Sequence, residues 1–197
     1  MDNWSNWCIL TLRTCSVFID GGYLRERGKE HDCPFPNPAQ LSRKIMASST
    51  VQSWSSHPGS VVNAFLGRTT FYDALPDGDA DSKLDAYWKA IELQDDMHVG
   101  FGALRGLRKR PRQKDVDVQI AVDMLVGAFE RAFDIAVLLA GDADFVPVVE
   151  EVKRHSVMMV VAAEQASLAE DLRRVADRYI DISMPGEQNV WLPLAGA

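Results

Sequence analysis

Short apolar runs alternate along the chain with segments whose apolar side chains recur every three or four residues. Continuous apolar or β-branched runs indicate buried strands, and the three- to four-residue period indicates helices. The runs that predict strands are Cys15–Ile19, Val61–Tyr72, Met97–Leu104, Phe133–Ala140 and Val157–Ala163. The periods that predict helices are Ala39–Trp54, Asp81–Leu93, Asp115–Phe133, Ala143–His155 and Leu168–Arg178. This alternation favours a three-layer α/β fold with a mostly parallel central sheet.

The composition is that of one globular domain. A chain of 197 residues with 47% hydrophobic content supports one ordinary core. No apolar run approaches the roughly 20 residues of a membrane helix, and the N-terminus lacks the basic region of a signal peptide. Three cysteines without a CxxC pair favour reduced thiols, so we expect a cytoplasmic protein without membrane contact. The domain is expected over residues 15–182, with an N-terminal extension at 1–14 and a C-terminal tail at 183–197.

Charge is distributed unevenly along the chain. The net charge of −7 excludes a protein that coats nucleic acid by bulk positive charge, but it leaves a local basic patch open. One stretch carries six positive charges in ten residues, with no acid among them: Arg105, Arg108, Lys109, Arg110, Arg112 and Lys114. It is either a solvated loop or a surface that contacts the phosphates of nucleic acid. Arg68 is a weaker candidate for such a contact.

Acidic residues follow two of the predicted strands. Asp20 comes directly after the first, and Asp142 and Asp144 follow the fourth through Gly141. In an open parallel sheet, ligands bind outside the carboxyl ends of the strands, so these positions favour a functional site. Helix capping is the alternative role for Asp142 and Asp144, and a plain turn is the alternative for Asp20.

A further acid, Asp117, stands near the start of the clearest amphipathic helix, in step with Ala121 and Met124 on its predicted core-facing side. A buried acid needs a partner, which is either the nearby Lys114 or a divalent cation shared with the strand-end acids. An Asp-only cluster suits Mg²⁺ or Mn²⁺, which activate water and stabilise the leaving oxygen of a phosphodiester. Asp123 falls about 120° from this side of the helix, and this position indicates an acid on the surface or one that supports the metal ligands.

Four motifs resemble the NYN domain family, in its LabA-like (DUF88) branch of the PIN-like nucleases. They are FIDGGYL (18–24), RTTFYDALP (68–76), KDVDVQIAVDML (114–125) and LLAGDADFVPVVEEVKRHSVMMVV (138–161). The resemblance implies a Rossmann-like PIN fold, a metal-binding acidic centre and the ribonuclease activity inferred for many members. Matched motif to motif, the acids of the family fall on Asp20, Asp117, Asp142 and Asp144, with an acid also usual at Asp123.

The sequence departs from the family pattern at three positions. Ala140 and Ala143 stand where the fourth motif usually has serines, and Tyr23 stands where the first often has asparagine. The aromatic rings of Tyr23, Phe71 and Tyr72 either stack on bases or, as we favour, pack in the core.

The expected function is that of an endoribonuclease that uses Mg²⁺ or Mn²⁺ and acts on RNA as its partner. A catalytically weak NYN domain that binds RNA or a protein in regulation is the alternative. A phosphatase-like enzyme for small phosphorylated substrates is a third reading. The sequence leaves open whether the chain forms a homo-oligomer.

Overall fold

A six-stranded sheet forms the centre of the structure, a computed structural model that describes residues 10–52, 61–74, 82–101 and 113–183. The strands are β1 (Leu10–Asp20), β2 (Val61–Asp73), β3 (Met97–Phe101), β4 (Ile135–Leu139), β5 (Met158–Ala163) and β6 (Arg178–Asp181). Their order in the sheet is β3-β2-β1-β4-β5-β6, and every neighbouring pair is parallel. The predicted α/β fold with a mostly parallel sheet is therefore confirmed.

Helices cover both faces of this sheet. They are α1 (Gly21–Glu30), α2 (Pro38–Ala47), α3 (Ser49–Gln52), α4 (Ser82–Glu92), α5 (Gln113–Phe129), α6 (Val146–Arg154) and α7 (Glu170–Val175). The helices α1 to α4 pack on the face that presents Val17 and Ile19. The helices α5 to α7 pack on the face that presents Phe18 and Leu138. Successive strand residues point to opposite faces, so the two layers have separate apolar cores.

The strand order creates a crevice at one edge of the sheet. The order reverses between β1 and β4, because the helices that follow these two strands lie on opposite faces. Such a reversal leaves a gap outside the carboxyl ends of the two strands, which is where ligands bind in open α/β sheets. β1 ends at Asp20, and β4 ends three residues before Asp142. The fold therefore brings two of the predicted site residues to the same crevice.

Several predicted boundaries were wrong. The first strand begins at Leu10 rather than Cys15, because Leu10 to Thr14 pair with β2. Helix α5 ends at Phe129, and Arg131 has a positive φ of 56° that takes the chain out of the helix before β4. The single helix expected over 168–178 is instead the short α7 followed by β6, which pairs with β5. The long helix expected over 39–54 is divided into α2 and α3.

The buried side of α5 also differs from the prediction. It consists of Val116, Ile120, Met124 and Ala128, all essentially inaccessible to solvent. Phe129, which continues the apolar period of Ala121 and Leu125 at four-residue spacing, is 75% exposed. Asp117, Ala121 and Leu125 are only partly buried and lie beside the core stripe. The predicted stripe was therefore rotated by about one residue, and Asp117 borders the core instead of pointing into it.

Two further expectations concern thiols and membranes. Cys15 and Cys33 are free, buried thiols, while Cys8 lies outside the described residues. In the part of the chain that the structure describes, no helix combines the length and apolarity needed to cross a membrane. Phe71 and Tyr72 are buried in the core, as the sequence favoured.

Candidate active site

Asp20 lies where β1 passes directly into α1. Its carboxylate accepts a hydrogen bond of 3.1 Å from the backbone N–H of Tyr23 and caps the helix. Burial raises the pKa of Asp20, which is 7% exposed, while backbone N–H donors and the charge of Arg25 act in the opposite direction. Gly21 permits this abrupt start, because a Cβ there would lie 2.5 Å from the Phe71 ring. The Asp-Gly-Gly segment, expected to form a turn, is thus the start of a helix.

Asp142 and Asp144 lie on a short 3₁₀ turn between β4 and α6. The Asp142 carboxylate accepts a hydrogen bond of 3.0 Å from the backbone N–H of Asp144, and both side chains are exposed. Gly141 allows the tight passage out of β4, because a Cβ there would lie 2.4 Å from the carbonyl oxygen of Ser167. The capping role considered for Asp142 is therefore real. Its cap hydrogen bond uses Oδ1, and the described contacts assign no partner to Oδ2.

Asp117, near the start of α5, lies near the acids that follow β1 and β4. Its pKa is raised to about 6, first by partial burial and then by the negative charges of Asp20, Asp142 and Asp144. Coulomb repulsion of this kind requires proximity, so the four carboxylates lie near enough for their charges to interact. The acidic cluster, as we call Asp20, Asp117, Asp142 and Asp144, is thus assembled from the end of β1, the start of α5 and the turn after β4.

The acidic cluster fits a hydrated divalent cation better than a closed cage of ligands. Among the described residues, no three acidic, histidine or cysteine side chains stand close enough together to enclose an ion directly. Mg²⁺ keeps several of its waters in proteins and uses only one or two carboxylates. The buried Asp20 and the more open Asp117, Asp142 and Asp144 would provide the oxygen donors and the negative charge for such an ion.

Asp123 has other partners. It accepts hydrogen bonds of 3.0 Å from the Tyr72 hydroxyl and 2.7 Å from Nε2 of Gln119. Its charge is not among those that raise the pKa of Asp117. Asp123 lines a separate cavity of about 610 Å³ between β1, β2 and α5. The structure therefore places it beside Tyr72 instead of in the acidic cluster, and its role as a metal ligand stays a prediction.

The predicted phosphate contacts are only partly visible. Arg68 is exposed and lines the same cavity as Asp123, five residues before β2 reaches the carboxyl edge. The structure does not bring Arg68 to the acidic cluster. Most of the basic stretch lies outside the described residues: Arg105, Arg108, Lys109, Arg110, Arg112 and the side chain of Lys114. Their contact with RNA, and the alternative pairing of Lys114 with Asp117, stay predictions.

Sequence reasoning missed Asp73, the acid at the end of β2. It is fully buried and accepts hydrogen bonds from Nη1 of Arg25, from Nε1 of Trp88 at 2.7 Å and from the backbone N–H of Ala74 at 2.8 Å. Arg25 also lies near enough to Asp20 for their charges to interact. The signal was present, because Asp73 follows a strand of the RTTFYDALP motif just as Asp20 follows β1.

Tyr23 and Glu164 form a second set of contacts that the sequence did not indicate. The Tyr23 hydroxyl accepts a hydrogen bond of 3.0 Å from the backbone N–H of Glu164 and lies 2.7 Å from Oγ of Ser167. The carboxylate of Glu164, which is buried, pairs with Nε2 of His31. These contacts join α1 to the segment after β5. Tyr23, which stands where the family often has asparagine, therefore links α1 to the segment after β5, next to the turn that carries Asp142 and Asp144.

The comparisons with known proteins agree with this fold. The model of the NYN domain family matches residues 15–183, and the chain belongs to this family. Membership implies a nuclease-like, RNA-related function. The low amplitude and bright protein LabA of Synechococcus elongatus is 31% identical over 72 residues and supports the LabA-like branch. That match covers 36% of this chain and 38% of LabA, so the chain spans well under half of that relative.

A solved structure has the same fold. The crystal structure of a protein of unknown function from Vibrio parahaemolyticus RIMD 2210633 superposes with a TM-score of 0.64. The match covers 89% of this chain and 94% of the other, at 16% sequence identity. At that identity the likeness concerns the fold alone.

Proposed function

We propose that this protein is a metal-dependent endoribonuclease that hydrolyses RNA phosphodiester bonds at the acidic cluster. One observation carries the proposal: three carboxylates from other elements lie near enough to Asp117 for their charges to add to the effect of burial in raising its pKa. Mutual repulsion of this kind costs stability unless a cation neutralises it. The cluster also lies at the reversal point of the sheet, where α/β proteins bind their ligands.

The four carboxylates of the acidic cluster are held in different ways. Asp20, Asp117, Asp142 and Asp144 would hold Mg²⁺ or Mn²⁺ and its waters. A bound divalent ion supplies an activated water and stabilises the leaving oxygen of a phosphodiester. The backbone N–H groups of Tyr23 and Asp144 fix the carboxylates of Asp20 and Asp142 through their cap hydrogen bonds. Asp117 has no cap contact of this kind among the described hydrogen bonds, and its carboxylate borders the groove between α5 and α6.

A weakly catalytic RNA-binding module is the second candidate, because hydroxyl groups are missing beside the acids. Ala140 is fully buried directly after β4, and Ala143 is exposed on the turn that carries Asp142 and Asp144. Neither side chain offers an oxygen to a metal-bound water or a phosphate. This candidate predicts RNA binding with little cleavage under any metal condition.

A cleavage assay separates the two candidates. RNA and DNA strands of one sequence are incubated with the protein in Mg²⁺, in Mn²⁺ or in a chelator. We expect RNA cleavage only with a divalent ion, and loss of cleavage in Asp142→Asn. Asp171→Asn is the matched control, because Asp171 is an exposed acid on α7 that pairs with Arg174 and lies outside the acidic cluster. RNA binding without metal-stimulated cleavage would favour the regulatory module instead.

A further inference from the structure

A groove with apolar walls opens beside the acidic cluster. It lies between α5 and α6 and has a volume of about 450 Å³, which is within the usual range of small-molecule sites. Its apolar walls are formed by Val118, Ala121, Leu125, Phe145, Pro147 and Val148. We call this cavity the α5–α6 groove.

The acids around the α5–α6 groove are unevenly spaced along it. Asp117 and Asp144, two members of the acidic cluster, line it near the starts of the two helices. Glu151 lines it about two helical turns further along the chain from Asp144. One end of the groove is therefore part of the candidate active site, and the groove extends from there along both helices.

The charges around the groove restrict what it can hold. Among the described residues, every ionisable group in its lining is an acid, so a phosphate group inside it would meet like charges from Asp117, Asp144 and Glu151. The walls are aliphatic, proline and phenylalanine side chains, which gain from contact with an apolar or aromatic surface. Val118 is 52% exposed, so this apolar surface is accessible to solvent. The suitable occupant is an uncharged aromatic group attached to the phosphodiester that the acidic cluster receives.

We infer that the α5–α6 groove binds one unstacked nucleobase of the RNA, next to the phosphodiester bond that is cleaved. The inference rests on the proposed function, because the acidic cluster fixes where the phosphate lies. A base inside a duplex is paired and stacked, whereas a base in a single strand is free to turn into a pocket. The groove therefore makes single-stranded RNA the substrate class, with duplex RNA excluded at this position.

The first test measures RNA affinity with defined strands. Fluorescence anisotropy follows a labelled single-stranded RNA, its duplex, and a series of single strands that each lack one base. The measurement is made in Ca²⁺, and gels confirm that the RNA stays intact. We expect one position at which removal of the base weakens binding roughly tenfold, because stacked bases contribute this much in other single-strand sites. The duplex should bind more weakly than the intact strand by at least this factor.

The second test changes the groove itself. Ala121→Leu fills part of the groove and is expected to weaken binding of the intact strand roughly tenfold. It should leave unchanged the affinity for the strand that lacks the sensitive base. Val118→Ala removes a wall contact and should weaken binding a few-fold. Val122→Ala is the matched control, because Val122 is also an exposed valine of α5 but does not line the groove. Thermal melting checks that every variant is folded.

The outcomes separate the inference from the proposed function. Unchanged RNA affinity in Ala121→Leu and Val118→Ala, or equal affinity for single strand and duplex, overturns the inference even if wild type cleaves RNA. Unchanged affinity is also the result if the groove receives a segment of another protein. Base-dependent binding without metal-stimulated cleavage supports the groove and contradicts the nuclease. Loss of both base dependence and cleavage overturns both.

Discussion

The single carboxylate of Asp73 and the acidic cluster lie at the same edge of the sheet and differ in how their charge is balanced. Asp73 is fully buried, and each partner that it contacts, including the guanidinium of Arg25, donates a hydrogen bond. The acidic cluster is more open, and burial together with the negative charges of neighbouring members raises the pKa of Asp20 and of Asp117. Asp73, Asp20 and Asp142 all stand at the ends of neighbouring parallel strands or just after them, so this position alone does not reveal which acid is structural.

The difference teaches that the partners of an acid, and not its burial, indicate its role. Asp73 is neutralised within the chain, so it stabilises the native state and has no charge left for a ligand. The acidic cluster is repulsive in the absence of a cation, which is typical of sites built for a function at some cost in stability. Arg25 connects Asp73 to the acidic cluster, since it pairs with Asp73 and its charge also acts on Asp20.

The largest expected effect is on catalysis. Asp20→Asn should lower RNA cleavage by about a thousandfold or more, because a metal ion contributes several kcal/mol to phosphodiester hydrolysis. It should leave the free energy of unfolding in chelator unchanged or slightly raised, since asparagine also caps helices well. Single-turnover cleavage and urea unfolding measure the two quantities. Retained cleavage would remove Asp20 from the site.

The converse is expected for Asp73. Asp73→Asn leaves the guanidinium of Arg25 largely buried without its counter-charge, which should cost about 3 kcal/mol of unfolding free energy. Urea unfolding at neutral pH measures this loss, with Asp171→Asn as the control for an exposed ion pair, expected to change stability by well under about 1 kcal/mol. If Asp73→Asn were as stable as wild type, the contrast between Asp73 and the acidic cluster would be lost.

The sequence predicted the sheet and its acids better than it predicted the elements beside them. Strand ends could be predicted because the apolar run of β4 stops at Gly141 and that of β5 at Glu164, and parallel strands must share one carboxyl edge. Helix α1 was missed because Gly21 and Gly22 usually favour turns. Here the capping carboxylate of Asp20 and the close approach to Phe71 decide the local structure.

The acids of the site could be predicted from the sequence, but the contacts that these acids make with distant residues could not. β6 was missed since its four residues follow a helical period without a break, and only pairing with β5 makes them a strand. The pairing of Arg25 with Asp73 joins residues far apart in the chain, which no local pattern reveals. The same holds for the contact of Tyr72 with Asp123, which distinguishes that acid from the cluster.

An intermediate effect is expected for the basic stretch that precedes α5. If it contacts phosphates, changing Arg108, Lys109 and Arg110 together to Ala should make the salt dependence of single-stranded RNA binding shallower by roughly two units, at about 0.7 per contact. Single-turnover cleavage at saturating RNA should stay near that of wild type, because the acids are unchanged. Affinity measured at several salt concentrations decides the matter. An unchanged slope would identify the stretch as a solvated loop.

The smallest expected effect is a pH dependence of stability. The pKa of Asp117 is about 6 in the folded protein against an ordinary value of 3.8, so the native state binds more protons than the unfolded state between these values. The contribution of Asp117 to the stability of the metal-free protein should therefore fall as the pH rises from about 4 to about 7. Asp117→Asn should remove on the order of 1 kcal/mol of this fall, after allowance for solvent screening.

The pH measurement compares two proteins. Urea unfolding of wild type and Asp117→Asn in chelator gives the difference in stability at each pH, so the contributions of other groups cancel. The variant should gain on wild type as the pH rises through 6. A difference that is constant over this range would mean that Asp117 lies apart from the other carboxylates.

The central claim, that the acidic cluster holds a divalent cation, is tested most directly by thermal melting with and without Mn²⁺ or Mg²⁺. A cation at a hundred times its dissociation constant stabilises the native state by about 2.7 kcal/mol, which raises the Tm by several degrees. We expect this rise in wild type and in the double control Glu150→Gln, Asp171→Asn, which removes two exposed acids of α6 and α7. The rise should be absent from Asp117→Asn, Asp142→Asn. Equal rises in all three proteins would contradict the claim.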